Sequence, residues 1–458
     1  MKETAQVIIV EKISRQRSFF STGITKEIDF RIAQLRKLKQ VIFKYKERIL
    51  QALWVDLHKS PEEAFLTEIS IVISEIDNHI KHLKKWASPH KVSTPIFLLP
   101  SSSRIIYEPL GVALIVSPWN YPFQLLINTL IGSISAGCCT ILKPSPDSAN
   151  IAKVMEEMIS EWFDPNYISV VQGGKETNTI LFSQRFDIIF FTGSPKVGKV
   201  VMRAAAENLT PVVLELGGKS PCIVDAHANI DVAAKRIVWG KLINAGQTCI
   251  APDYLFVHKS IKEELLTKIV ANILLMYGPD IKQSRFYPRI ITDQAFNRLV
   301  GLMNEGKIYT GGEVDAKERF IAPTVIDNVE PHFLIMQEEI FGPILPVMTF
   351  NNIDQAVSYV NKQEKPLAFY YFGKNKKAKK ILSQTTSGGA CINDTIMHVA
   401  NHNLPFGGVG NSGMGKYHGK ESFLAFSNRR AVVTTPTWPD LPFKYVPFKH
   451  FKLMKKII

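Results

Sequence analysis

The sequence predicts an α/β protein: a doubly wound unit, a second α/β unit, and a small β element beside them. Three observations carry that prediction. Short apolar runs alternate with helix-length stretches, the runs close on Gly, Pro or Ser turns, and 458 residues with 46% hydrophobic content form more than one core. Buried parallel strands read as continuous apolar runs, separated by helical crossovers. A chain of this length predicts two or three domains.

At the N-terminus, Ile28, Ile32, Leu35, Leu38, Ile42, Ile49 and Leu53 recur at helical spacings, predicting amphipathic helices over 25–59. Ser60–Pro61 interrupts them, and a second helical stretch follows over 62–87. Residues 89–106 mix β-branched residues with prolines and read as an extended excursion. From Gly111 the cycle of strand, loop and helix repeats. GVALIVSP leads to LLINTLIGSISAG, CCTILKPS to SANIAKVMEEMISEWF, YISVVQG to a short helix near TNTILFS, and DIIFFTG to a helix starting near Lys196. The cycle resumes after Gly217 and runs to residue 412. After Ser427, RRAVVTT predicts one more strand, and a proline-rich, then basic, tail follows.

The five cysteines show no metal-ligand spacing, and the adjacent pair Cys138–Cys139 suits small apolar packing better than a structural disulfide. A reduced, cytoplasmic compartment is the expectation. The first residues contain only a four-residue apolar run, too short for a signal-peptide core, and no run is long enough to span a bilayer. The net charge of +14 comes without any nucleic-acid-binding module, so no nucleic acid partner is expected. Dinucleotide phosphates, an anionic membrane surface or a generally basic solvated surface each account for such charge.

The most informative residue is Cys249 in NAGQTCIA (244–251), a thiol in a stretch with no helical or strand periodicity. Earlier, ELGGKSP (215–221) sets Glu215 at the end of an apolar run, before two glycines. A thiol nucleophile, a carboxylate able to activate water, and glycines that admit a ligand suggest covalent catalysis through a thioester. FTGSPKVG (191–198) closes a strand and opens a helix, so Gly193, Ser194 and Gly198 would offer backbone N–H groups and a hydroxyl to a phosphate. Alone that is a weak signal, because a Gly-Ser turn after a strand is most often structural and the full G-x-G-x-x-G pattern is missing. His398, His402 and His418 cluster near the C-terminal motifs without a local third ligand or acidic base, so no metal site is assigned. A thiol hydrolase is disfavoured because no histidine falls in a supporting local motif.

These fragments, together with PWNYPF (118–123), EEIFGP (338–343) and PFGGVGNSGMG (405–415), stand in an order that resembles the aldehyde dehydrogenase superfamily from residue 10 to residue 435. The resemblance implies NAD or NADP as cofactor and oxidation of an aldehyde to its acid. It makes Cys249 the nucleophile, Asn120 the oxyanion donor and Glu215 the base for hydrolysis. Lys143, in LKPS at a strand's carboxyl end, takes the adenosine ribose or its phosphate; Glu339 holds the nicotinamide ribose and Phe341 packs near its ring. Where many NAD-preferring relatives carry a glutamate, LKPSPD has Pro146, followed by Asp147, so NADP use becomes plausible beside NAD. The shortness of the chain, TCIAPDY and the glycine-rich segment resemble the class 3 and fatty aldehyde dehydrogenase branch, which implies apolar aromatic or medium to long-chain aldehydes and a homodimer. The alternative is a catalytically silent dehydrogenase scaffold with a structural or binding role.

The expected architecture is a dinucleotide-binding domain of 1–88 and 107–216, a catalytic domain of 217–412, and an oligomerisation element of 89–106 and 413–440. In the tail, 441–458, Phe448, Phe451, Met454 and Ile458 form the stripe of a basic amphipathic helix, suited either to packing on the protein's own body or gating a substrate tunnel, or to peripheral contact with an anionic membrane, the inner surface included.

Overall fold

The computed structural model describes residues 2–440 throughout and, in the tail, Pro442, Tyr445–Phe448, Phe451, Lys452 and Lys455. Its first sheet orders the strands Gly413–Met414, Val212–Leu216, Ile188–Gly193, Val112–Val116, Cys139–Lys143 and Ile168–Val170, all parallel except the first. Val112–Val116 and Cys139–Lys143 are buried throughout, as both-faced parallel strands require. The second sheet orders Lys307–Thr310, Thr324–Asp327, Ile344–Phe350, Tyr254–His258, Pro221–Val224, Ala368–Phe372 and Gly389–Ile392, with only the first pair antiparallel. Along Ala368–Phe372 the side chains alternate. Tyr370 and Phe372 join one core, while Phe369 and Tyr371 join the other, the two-residue period of a strand between two layers.

The N-terminal helices Ile28–Leu57 and Ser70–Ala87 form where periodicity predicts them, and Ser60 caps the turn between them by accepting the N–H of Glu63. The five residues Phe65–Ile69 wind as a π-helix, which spacing alone does not reveal. An unpredicted helix, Gln6–Ser21, buries only Ile9, Ile13 and Gln16, too thin a stripe to register as periodicity. Gln16 Nε2 donates to the Thr140 carbonyl at 2.8 Å and so ties that helix to the first sheet.

The segments 89–106 and 413–440 require a correction. His90–Val92, Ser102–Pro109 and Ser427–Thr434 do make a third, antiparallel sheet. However, Gly413–Met414 pairs with Leu214–Glu215 at the edge of the first sheet, and helix Lys420–Ala425 packs on helix Pro122–Ala136. The glycine-rich stretch therefore belongs to the wall around Glu215, because close backbone approach draws it there. Among the described residues, no helix is long and apolar enough to cross a membrane.

Candidate active site

Parallel α/β sheets present ligands at the carboxyl ends of their strands, where loops carry side chains onto a shared crevice. Strand Val112–Val116 ends in Pro118, Trp119 and Asn120, and Pro122 then opens helix Pro122–Ala136. Asn120 is buried and held from several sides. Its carbonyl accepts from Asn244 Nδ2 at 2.8 Å and from Lys59 Nζ at 3.3 Å, and its own Nδ2 donates to the Gln247 carbonyl at 3.1 Å. One Nδ2 hydrogen remains for a ligand. Lys59 is itself fully buried against Glu68 at 2.7 Å, and Glu68 Oε2 accepts the N–H groups of Phe123 and Gln124, the orphan donors of the helix start.

The cysteine loop follows helix Ile230–Leu242. Asn244, Ala245 and Gly246 all take positive φ, and a Cβ on Gly246 would lie 2.2 Å from the Gly342 carbonyl, so only glycine closes this turn against the EEIFGP segment. Gln247 locks the loop: Nε2 donates to the carbonyls of Asn244 and Arg289, and Oε1 accepts the N–H of Ile291. Cys249 emerges half-buried, whereas the other four cysteines are buried. Burial, with Glu339 and Glu215 nearby, raises its thiol pKa strongly.

Glu215 lies in strand Val212–Leu216 at 3% exposure, and neither carboxylate oxygen has a hydrogen-bond partner. Burial pushes its pKa up to about 8, against the pull of Lys416. Lys416 Nζ in turn is tied to the carbonyls of Gly407, Gly408 and Gly388. Glu339 also has an unpartnered buried Oε1; burial first, then Asp253, lifts its pKa to about 8. A Cβ on Gly217 would fall 2.0 Å from Glu339 Oε2, so that carboxylate rests on bare backbone. Phe341 has φ of 52°, a strained value for an aromatic residue, and meets Trp119 edge to face at 5.4 Å.

One cavity of about 270 Å³ gathers Asn120, Gly193, Ser194, Glu215, Cys249, Glu339 and Phe341. Ser194 caps helix Pro195–Ala206, its hydroxyl accepting the Val197 N–H. Two predicted residues lie elsewhere. Gly198 is inside that helix, where a Cβ would meet Leu216 Cδ2 at 2.7 Å; its smallness serves helix–sheet packing and not a phosphate. Lys143 is buried at the end of strand Cys139–Lys143, outside the cavity lining, with Nζ on the Pro144 carbonyl at 2.9 Å and its pKa lowered to about 8 by burial. Sequence reasoning missed Lys59, Glu68, Gln247 and Lys416, which act by holding other residues; only the NAGQTC motif itself pointed at Gln247. It also missed a second, larger cavity of about 630 Å³, lined by Leu66, Trp239, Met276, Phe286, Met397 and His418 among others.

The residues present fit a nicotinamide dinucleotide. The first cavity holds the unpartnered Oε1 of Glu339 for a ribose hydroxyl, the aromatic ring of Phe341, and Gly193 and Ser194 at the start of a helix for a phosphate. Comparison with known proteins agrees. Residues 16–432 match the aldehyde dehydrogenase family. The chain is 46% identical to the 4,4'-diaponeurosporen-aldehyde dehydrogenase of Staphylococcus aureus, covering 98% of each chain. It is 43% identical to a dimeric NADP-preferring aldehyde dehydrogenase of Canis lupus familiaris, covering 96% of this chain and 98% of that one. A Staphylococcus aureus AldH structure in its substrate-bound state superposes with a TM-score of 0.96 at 46% identity, covering 98% of this chain and 99% of the other. With that geometry and those relatives, the chain belongs to the aldehyde dehydrogenase family and uses NAD or NADP to oxidise an aldehyde.

Proposed function

We propose that this enzyme oxidises an apolar aldehyde to its acid through a thioester on Cys249, and that the joint lining of one cavity by Cys249, Asn120 and Glu215 carries the reading. Cys249 Sγ gives up its proton to a carboxylate of the cavity and attacks the carbonyl carbon. The oxygen becomes anionic and takes the free Nδ2 hydrogen of Asn120 together with the backbone N–H of Cys249. Bound NAD(P) supplies the hydride acceptor that turns this adduct into the thioester. Glu215 then draws a proton from water, which attacks the thioester and releases the acid. Glu339, Phe341, Gly193 and Ser194 hold and orient the dinucleotide. Lys143, at the carboxyl end of the strand Cys139–Lys143, would hold the adenosine ribose or its phosphate.

The apolar side chains Trp119, Leu125, Leu367 and Phe406 that line the Cys249 cavity support an apolar substrate, as does the diaponeurosporen aldehyde in the name of the Staphylococcus aureus relative. Pro146 beside Lys143, and the NADP preference named for the canine relative, support turnover with NADP as well as NAD. The test is kinetic. Cys249→Ala is expected to abolish NAD(P)H formation while nucleotide affinity stays within a few-fold. Glu215→Gln is expected to give a burst of reduced nucleotide and then slow turnover, since hydride transfer precedes hydrolysis. Complete loss of the burst in both variants would refute the division of roles.

The tail supports a second element of the reading, peripheral association with an anionic membrane that delivers an apolar aldehyde. Phe448 and Phe451 are exposed, as is Val446 at 80%, and Lys452 and Lys455 accompany them. Met454 and Ile458, which complete the stripe, and Lys444, Lys449 and Lys456 lie outside the described residues. Sedimentation with anionic vesicles at low salt is expected to carry down the full chain and leave a chain ending at Asp440 in the supernatant; both remaining soluble would end the idea.

A further inference from the structure

The histidines near the C-terminal motifs lacked an acidic partner in the local sequence, and the fold supplies one. Glu75, from helix Ser70–Ala87, reaches His402 and His418 across more than three hundred residues. Glu75 Oε2 accepts from His402 Nδ1 at 2.7 Å and stands 3.9 Å from His418 Nδ1. Its other oxygen is fixed from behind, by the Gly419 N–H at 2.6 Å and by His79 Nε2 at 3.2 Å, and His79 is itself anchored on Ser135 Oγ at 2.6 Å. One carboxylate oxygen is therefore spent on positioning, and the other is presented with the two imidazoles.

His418 makes the arrangement hard to read as packing alone. It is 2% exposed, and neither ring nitrogen has a hydrogen-bond partner. Its backbone takes φ of 87°, a region L residues rarely adopt, held there by its N–H on Ser422 Oγ. A buried polar ring without partners is unfavourable, and a strained backbone that sustains it points to a ligand. His402 and His418 stack with their ring planes 17° apart, and both line the larger cavity.

We propose that Glu75, His402 and His418 form a binding site for a divalent transition metal of the zinc class, with its remaining coordination position open to the larger cavity. One ligand atom from each residue lies within 4.8 Å of the others, and a tetrahedral zinc holds its ligand atoms about 3.3 Å apart, so small side-chain shifts close the set. Two imidazoles and one carboxylate suit zinc or cobalt better than calcium or magnesium, which prefer all-oxygen sets. The hydrogen bonds to Glu75 from His79 and Gly419 are the outer support such ligands require. On binding, the ion replaces the proton on His402 Nδ1, which leaves to solvent; no oxidation is involved. None of the three residues lines the Cys249 cavity, and the proposal does not depend on the roles assigned there.

The experiment uses the full chain carrying Cys249→Ser, so that the half-buried thiol cannot account for the metal. Equilibrium dialysis against Zn²⁺ is expected to show one bound equivalent, and Co²⁺ to give visible d–d absorption of a four- or five-coordinate site. His418→Gln in the same background is expected to weaken binding by at least about 10–100-fold, the loss that even an outer-support change produces. His402→Ala, at the cavity wall, gives a second variant with the same expectation, and His398→Gln is expected to bind as the parent does. Absence of a bound equivalent in the parent, or parent-like affinity in the His418 and His402 variants, overturns the proposal.

Discussion

Two carboxyl groups in the cavity around Cys249 share one peculiarity: Glu215 and Glu339 have unpartnered buried oxygens and pKa values pushed up from 4.5 to about 8 by burial. Between those limits the folded chain holds protons that the unfolded chain has lost, so stability falls as pH rises across that window. Without nucleotide, thermal denaturation is expected to give a lower melting temperature at about pH 8 than at about pH 5. Glu215→Gln should flatten part of that slope and stabilise the chain at the alkaline end by on the order of 1–2 kcal/mol, as functional residues often allow. Identical slopes in both proteins would contradict the assignment. Cys249, Glu215 and Asn120, which line one cavity, could be singled out in the sequence because each lies within a contiguous motif. The residues that hold them were not. Lys59 reaches Asn120 over 61 positions, and Glu75 reaches His402 over 327, distances no local pattern records. Gly198 misled for the opposite reason, since its local pattern fits a phosphate loop while its neighbour in space is Leu216.

At the scale of elements, the helix Pro122–Ala136 sets where Asn120 points, and its start is governed by the buried Lys59–Glu68 pair. Removing one partner of such a pair leaves an uncompensated charge, so Glu68→Ala is expected to cost about 3–5 kcal/mol in chemical denaturation. Turnover should fall as well, because Lys59 would no longer be held against the Asn120 carbonyl. A double variant, Lys59→Met with Glu68→Leu, should recover much of the stability and not the turnover, separating charge burial from positioning. If Glu68→Ala melts like the parent, the pair is not what fixes the helix start. Most strands and crossovers were readable because a parallel strand buried on both faces has an unbroken apolar run. The helix Gln6–Ser21 and the pairing of Gly413–Met414 escaped, the first because it buries one narrow stripe, the second because backbone hydrogen bonds carry no side-chain signature.

Over the whole molecule, Ser427–Thr434 pairs with Ser102–Pro109 on one side and is the edge of its sheet on the other. Its residues from Asn428 to Ala431 are exposed. An uncovered edge of eight residues is a template for pairing with another chain. Such an edge would accept the matching edge of a second copy of this chain, the homodimer that the sequence leads one to expect. Light scattering at micromolar concentration is expected to show a dimer. Proline at Ala431 or Val432, whichever directs its N–H outward, should shift it toward monomer. A parent chain that is monomeric would overturn that expectation.

The uneven exposure of the five cysteines has a practical corollary. Folded, the protein presents one thiol to an alkylating reagent, and its raised pKa slows that reaction at neutral pH. An alkaline labelling step therefore counts folded molecules with Cys249 intact directly, by mass, without a substrate or an engineered cysteine-free background. The four silent sulfurs become a second counter, since they register only molecules that have come apart.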